Sequence, residues 1–483
     1  MKLKKIEVKN IKSFFKTNLP IIILALTDVV IFAIPLYMEN FIPNLNSSLH
    51  ITASQYSWAN AIYGFVQLPC YLLGSYLGDK FKSKHLLVLS LIIISILGVW
   101  YMTLPFNSTK LATMIQLYII FAGFAFAIAG LLWAPLWKVV KNHNTAHLVG
   151  EEKEKQVGKN NGLQGGINGL LGLVLALFGT MLMSLANAKK LPTIEFGDKS
   201  INMGFFILLA VYVTLIIASL LLTVFLIKGI DDNHEKTFTL KSLIRVVKNW
   251  KIWLLGTLVL GVYMLQMGLS SYMNYLTNIF LVPALVVSLL GTFRTYVMRF
   301  LISPYAGKKA DKSHSYILLI CLGLFLGMVL VVVAMLLPGF NNSFENKGKV
   351  FKTIMAVAAS LNLMILGLLT WAIVTIRWSP IGAELKIDNT NYATGVGVVS
   401  VIAFTPNAFF RFIKAIIEKQ YSMEWVDTAT GHVTQVANQT GNQLILLTVV
   451  IFGMLGLIAG LTLYCLMYKN HDKFVFRKLM RSR

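Results

Sequence analysis

Residues 75–84 read Ser-Tyr-Leu-Gly-Asp-Lys-Phe-Lys-Ser-Lys, a short cationic stretch with a single acid, Asp79, set between two long apolar runs. The device returns as Gly-Lys-Lys-Ala-Asp-Lys at residues 307–312, where Asp311 stands 232 residues after Asp79. A loop that recurs after close to half the chain marks one structural unit used twice. Composition says what kind of unit. Of 483 residues, 56% are hydrophobic and 13% charged, against roughly 25% charged in a soluble domain. The apolar surplus must face lipid. The net charge of +23 would suggest nucleic acid in a soluble protein, but these cations lie in loops between apolar runs, so they report topology and no nucleic-acid partner is expected.

Crossing a hydrocarbon core of about 30 Å takes about 20 apolar residues. Runs of that length cover 19–38, 53–78, 85–104, 111–137, 161–185 and 203–226, then 253–281, 284–306, 316–337, 353–378, 393–416 and 444–467. The expected organisation is a basic N-tail, 1–17, lying as a short helix on the inner membrane face; a six-span half, 18–227; a linker, 228–251, with a surface helix; a second six-span half, 252–468; and a basic C-tail, 469–483. A signal peptide is rejected because the first run is long enough to span and has no small-residue cleavage site. The ends of spans four and ten repeat as well, Trp133-Ala134-Pro135 and Trp378-Ser379-Pro380. On this assignment 31 of the 43 Lys and Arg fall on the side of the N-tail, and nine on the other side. Both termini and both acid-bearing loops are therefore expected on the cytoplasmic side of a plasma membrane.

Asp79, Lys80 and Lys84 match the signature loop Gly-x-x-x-Asp-Arg/Lys-x-Gly-Arg-Arg/Lys of the major facilitator superfamily, from which Ser75, Lys82 and Ser83 depart. In the second copy Gly307, Asp311 and Lys312 match. Gly150-Glu151-Glu152 with Gly162 to Gly166, Arg294-Thr295-Tyr296, and Trp378-Ser379-Pro380 with Gly395 resemble a permease branch near the sugar-phosphate and hexuronate carriers. The resemblance implies an all-α polytopic fold of twelve transmembrane helices in two pseudo-symmetric six-helix halves, a central cavity, and alternating access. It implies that Asp79, Lys80, Lys84, Gly307, Asp311 and Lys312 gate transport, the acid and cations clamping neighbouring helix ends. Anchoring by positive charge is the rival reading, and it does not explain why the acid recurs.

A charge at mid-membrane costs roughly 2.5–3.5 kcal/mol on insertion scales, so each one needs a reason. Asp28 is the tenth residue of span one, about 15 Å in at 1.5 Å per residue. It is read either as a proton-coupling or cation-binding carboxylate or as the structural partner of a buried cation. Arg294 and Arg299 straddle the middle of span eight. Five residues apart is roughly 140° on an α-helix, so one of them is expected to face the cavity. A guanidinium there suits bidentate recognition of carboxylate or phosphate; pairing with Asp28 is the alternative. Arg411 is expected to snorkel.

Tyr56, Asn60, Tyr63, Gln67 and Tyr71 form a polar stripe along span two, and Tyr263, Gln266, Ser270 and Asn274 another along span seven. Lipid would reject both, so they line a cavity or bond between helices. Trp133 and Trp371 are read as sugar-stacking platforms or interface anchors. Gly162, Gly165, Gly166 and Gly169 in span five, with Gly395 and Gly397 in span eleven, are packing positions. Span five has no proline, so the Gly-Pro signature of drug antiporters is missing.

No phosphate-binding Gly-x-x-x-x-Gly-Lys-Ser/Thr motif occurs, the histidines lack ligand spacing, and Cys70, Cys321 and Cys465 all lie in apolar runs. Neither an enzyme nor a metal site or other cofactor is indicated. The expectation is a secondary transporter, a monomer in the lipid bilayer, moving a small polar and anionic solute such as an organic acid, sugar acid or sugar phosphate. Coupling to protons or a cation, as a symporter, accompanies it. A neutral sugar carrier, a drug-type exporter and a non-transporting receptor or scaffold remain alternatives.

Overall fold

A computed structural model describes residues 2–38, 49, 53–107, 109–145, 148, 151–187, 190–196, 199–227, 244, 246–339, 348–387, 391–426, 433–470 and 475. Each expected span has its helical run. Among the described residues, nine helices are long and apolar enough to cross a membrane by themselves, and Thr17–Ile31 is a shorter apolar helix. Their faces explain them: along span three, Leu87, Leu91 and Ile94 are buried at helical spacing while Leu89, Ile92 and Ile96 stay exposed. A helix apolar on all sides is stable where its outer face meets lipid.

The chain divides into two compact units, Met1–Leu243 with Asn389–Gly397, and Ile244–Asp388 with Val398–Arg483. In the first, span one packs against spans five and six, span two against span four, and span three against span six. In the second, span seven packs against span twelve, span eight against span ten, and span nine against spans ten and twelve.

Three features depart from the sequence reading. The N-tail is continuous with span one in a single helix, Lys2–Ile31, rather than a separate surface helix. Two antiparallel hairpins interrupt the all-helical chain: β1 Thr193–Phe196 with β2 Lys199–Asn202, and β3 Ser422–Val426 with β4 Val433–Ala437. They join span five to six and span eleven to twelve, so the hairpin is itself a repeated feature of the two halves. Three spans also contain a turn of π-helix, Ala33–Tyr37 in span one, Phe126–Leu132 in span four and Phe293–Val297 in span eight. The linker helix expected within 228–251 falls largely on 228–243, outside the described residues, as does most of the C-tail.

Candidate functional site

The first unit holds Asp79 in a cap. The helix Ala53–Lys80 ends on it, and its carboxylate accepts from the backbone N–H of Ala393 at 3.0 Å and of Thr394 at 2.7 Å, and from the Thr394 hydroxyl. These are the first free N–H groups of the helix Tyr392–Ala403, where an anion is favoured by both orphan donors and helix dipole. Glycine permits the approach. A Cβ on Gly78 would lie 2.9 Å from that of Ala393, and one on Gly397 would lie 2.6 Å from the Tyr71 carbonyl oxygen.

Lys84 and Lys80, near Asp79, find a carbonyl and a hydroxyl as acceptors. Lys84 Nζ donates to the Val224 carbonyl at 2.8 Å and Lys80 Nζ to the Tyr76 hydroxyl at 3.0 Å. The last carbonyls of a helix carry the negative end of its dipole, so Lys84 finds its acceptor there. Two lysines that sequence reasoning passed over complete the cluster. Lys138 donates to the Gly78 carbonyl at 3.1 Å, and the Lys141 ammonium sits 4.1 Å from the Tyr392 ring centre.

In the second unit Asp311 accepts from the Tyr316 hydroxyl at 2.7 Å, while Lys308, Lys309 and Lys312 are exposed. A helix-capping acid is present here too, and it is Glu384, which sequence reasoning missed. Its carboxylate accepts from the backbone N–H of Tyr316 and Ile317 at the start of span nine, from the Ser315 hydroxyl and from the Tyr468 hydroxyl at 2.9 Å. Burial raises the Glu384 carboxyl above the usual range, and these donors pull it back.

Inside the first unit Asp28 is buried, and its Oδ2 accepts from Gln164 Nε2 at 2.9 Å and Asn168 Nδ2 at 2.7 Å. Both donors lie on span five, whose Gly162, Gly165, Gly166 and Gly169 are buried and let its backbone come close to span one. Tyr56, Asn60, Tyr63, Gln67 and Tyr71 of the span-two stripe are all buried, and the Gln67 Nε2 has no hydrogen-bond acceptor among the described residues. Trp133 lies in an interior aromatic cluster, edge-on to Phe32, Tyr71 and Trp137, and neither stacks openly nor anchors at an interface. The π turn of span four brings carbonyls against span two, where a Cβ on Gly74 would lie 2.8 Å from the Gly130 oxygen.

Inside the second unit the stripe of span seven is only partly internal. Tyr263 donates to Asn407 Oδ1 at 2.7 Å and Gln266 is half-buried, but Ser270 and Asn274 are exposed. Arg294 sits in the π turn of span eight and is buried. Its stem lies on Gly367 of span ten, where a Cβ would come to 3.3 Å from Arg294 Cδ. The Trp371 indole N–H donates to the Arg294 carbonyl at 2.9 Å, and the Arg299 guanidinium lies 4.7 Å from the Trp371 ring centre. The expected spacing of roughly 140° assumed a regular α-helix; here the i→i+5 bond from Met298 N–H to the Phe293 carbonyl widens the turn, and both arginines reach span ten. Arg294 Nη2 lies 3.7 Å from the Met273 sulfur, and among the described residues its buried Nε–H has no acceptor.

Among the described residues no group of three or more His, Cys, Asp or Glu could hold a metal ion. What the units offer is a chain of membrane helices, helix starts capped by Asp79 and by Glu384, and a few buried polar groups. The profile of the Major Facilitator Superfamily matches residues 21–410. The chain belongs to that family. It is a multi-pass membrane protein and a secondary transporter of a small-molecule solute, not an enzyme.

Its curated relatives include an "Uncharacterized protein MG294 homolog" of Mycoplasma pneumoniae, 31% identical over 431 residues and 86% of each chain. The "Inner membrane protein YihN" of Escherichia coli is 22% identical over 389 residues, 80% of this chain and 84% of the relative. Among solved structures, a bacterial homologue of the iron transporter ferroportin in an outward-facing state superposes with TM-score 0.61 at 11% identity, covering 93% of this chain and 98% of that one. The human organic anion transporter MFSD10 gives TM-score 0.60 at 12% identity, covering 92% and 99%. At such identities the structures share the fold and nothing finer.

Proposed function

We propose that this transporter carries a small anionic solute, bearing a carboxylate or phosphate, by alternating access in the bacterial cytoplasmic membrane. Organic acids, sugar acids and sugar phosphates are the candidate classes. The observation that carries the reading is the Arg294 side chain. It is buried in a membrane helix, held by Gly367 and Trp371, and its Nε–H has no acceptor among the described residues. A guanidinium so held is costly in an empty protein and binds a bidentate anion well. Arg299, on the Trp371 face, adds positive charge near the same helix. The fold does not choose the cargo, since it serves an iron transporter homologue and an organic anion transporter alike.

In this reading Asp28 takes the coupling proton or cation, with Gln164 and Asn168 orienting its carboxylate. The cap of Asp79 on the start of span eleven is the gate contact that breaks as the halves rock, and Gly307, Asp311 and Lys312 serve the second gate loop. The protein works as a monomer with both termini cytoplasmic, in keeping with the lysine bias and with a relative named as an inner membrane protein. A neutral sugar-like solute is the second reading, favoured by the buried, unaccepted amide of Gln67. Uptake into proteoliposomes across a panel of organic acids, sugar acids, sugar phosphates and neutral sugars tests the choice. Saturable uptake confined to anions is expected, and uptake confined to neutral sugars contradicts it.

A further inference from the structure

The nitrogen of Arg294 that reaches Met273 is Nη2, which shares one edge of the guanidinium with Nε–H. That edge, two parallel N–H groups, is one that grips a carboxylate or phosphate. Among the described residues its Nη2 reaches the Met273 thioether at 3.7 Å, and its Nε–H has no hydrogen-bond acceptor. A thioether sulfur is a weak acceptor on an unbranched, adaptable side chain, the residue type most readily displaced from a packed position. The space for it comes from Gly291 of span eight, where a Cβ would lie 2.8 Å from the Met273 sulfur. Among the described residues, the Arg294 side chain makes no hydrogen bond to an oxygen and no ion pair with a carboxylate.

We infer that Met273 is a placeholder: its sulfur occupies the position on Arg294 that the solute's anionic group takes, and it swings aside when that group arrives. The inference rests on the reading of Arg294 as the anion site, and adds to it the residue that competes for the site. A methionine that merely fills the core would leave Arg294 no freer when removed. Removing a placeholder would free it.

The test uses the full chain in lipid nanodiscs, with 13C-methyl methionine and the Met273 resonance assigned by its loss in Met273→Leu. Glucuronate, citrate, glucose 6-phosphate and inorganic phosphate are titrated in turn, with glucose as the neutral control. The expected result is that a bound anion moves the Met273 methyl signal with the same midpoint as binding, and that Arg294→Gln abolishes both. Met273→Ala should tighten that anion by roughly two- to fivefold, the scale of losing one weak competing contact. Binding that needs Arg294 but leaves the Met273 signal unmoved, or that Met273→Ala weakens, overturns the placeholder alone. Failure of all four anions to bind, or binding that survives Arg294→Gln, overturns the anion site and the placeholder with it.

Discussion

The indole N–H of Trp371 donates to the backbone carbonyl of Arg294, 2.9 Å away, and so ties span ten to the π turn of span eight. A π turn spreads its carbonyls and leaves them open to an outside donor. Trp371→Phe keeps a ring for Arg299 but deletes the donor, leaving that carbonyl short of a partner. The expected cost is about 1 kcal/mol of stability. Anion KM should rise severalfold with the maximal rate less affected, because Arg294 is then less well placed. An unchanged KM in uptake kinetics would separate Trp371 from the site.

Asp79 caps two backbone N–H groups, and losing such a cap costs about 0.5–2 kcal/mol. Asp79→Asn retains an acceptor and removes the charge that the helix start favours. Transport should fall severalfold in Asp79→Asn and further in Asp79→Ala, with folded protein still abundant in the membrane. Wild-type transport rates in both variants would reduce the loop to a topological anchor.

Glu384 collects four donors at the start of span nine, and Glu384→Gln turns an amide N–H toward some of them. A buried donor left unsatisfied costs about 1–3 kcal/mol. The variant should melt several degrees lower by fluorescence-detected unfolding in detergent. An unshifted melting curve would show that the cap is replaceable by water.

Asp28→Asn preserves an acceptor for Gln164 and Asn168 but cannot carry a proton or balance a cation. It should retain exchange of solute down no net gradient while losing accumulation driven by a proton or sodium gradient. Gradient-driven accumulation at the wild-type level would remove Asp28 from coupling.

The helices were legible because each apolar run is long enough to cross a bilayer, and Asp79 stood out because an acid recurs where topology asks only for cations. The π turn at Arg294 was not, since a single i→i+5 bond leaves no mark in residue periodicity, and with it went the true relation of Arg294 to Arg299. Lys138 and Glu384 did not stand out, because what they do depends on helix ends brought near from elsewhere in the chain. Asn438 begins a glycosylation-like sequon, yet its side chain accepts from the Gly441 N–H as the N-cap of span twelve; the same Asn-x-Ser/Thr pattern serves either use. The polar stripes were found, but periodicity alone did not show that Asn274 would be exposed while Gln67 is buried.

The central claim is that Arg294 recognises an anion. The most direct measurement is counterflow of a radiolabelled anionic solute, one that the wild type takes up in the panel, in proteoliposomes holding wild type, Arg294→Lys or Arg294→Gln at matched protein. Lysine keeps the charge and loses the planar fork. The account predicts counterflow reduced at least tenfold in Arg294→Lys, about 1.4 kcal/mol of recognition, and abolished in Arg294→Gln. Wild-type counterflow of the anion by Arg294→Gln would contradict it.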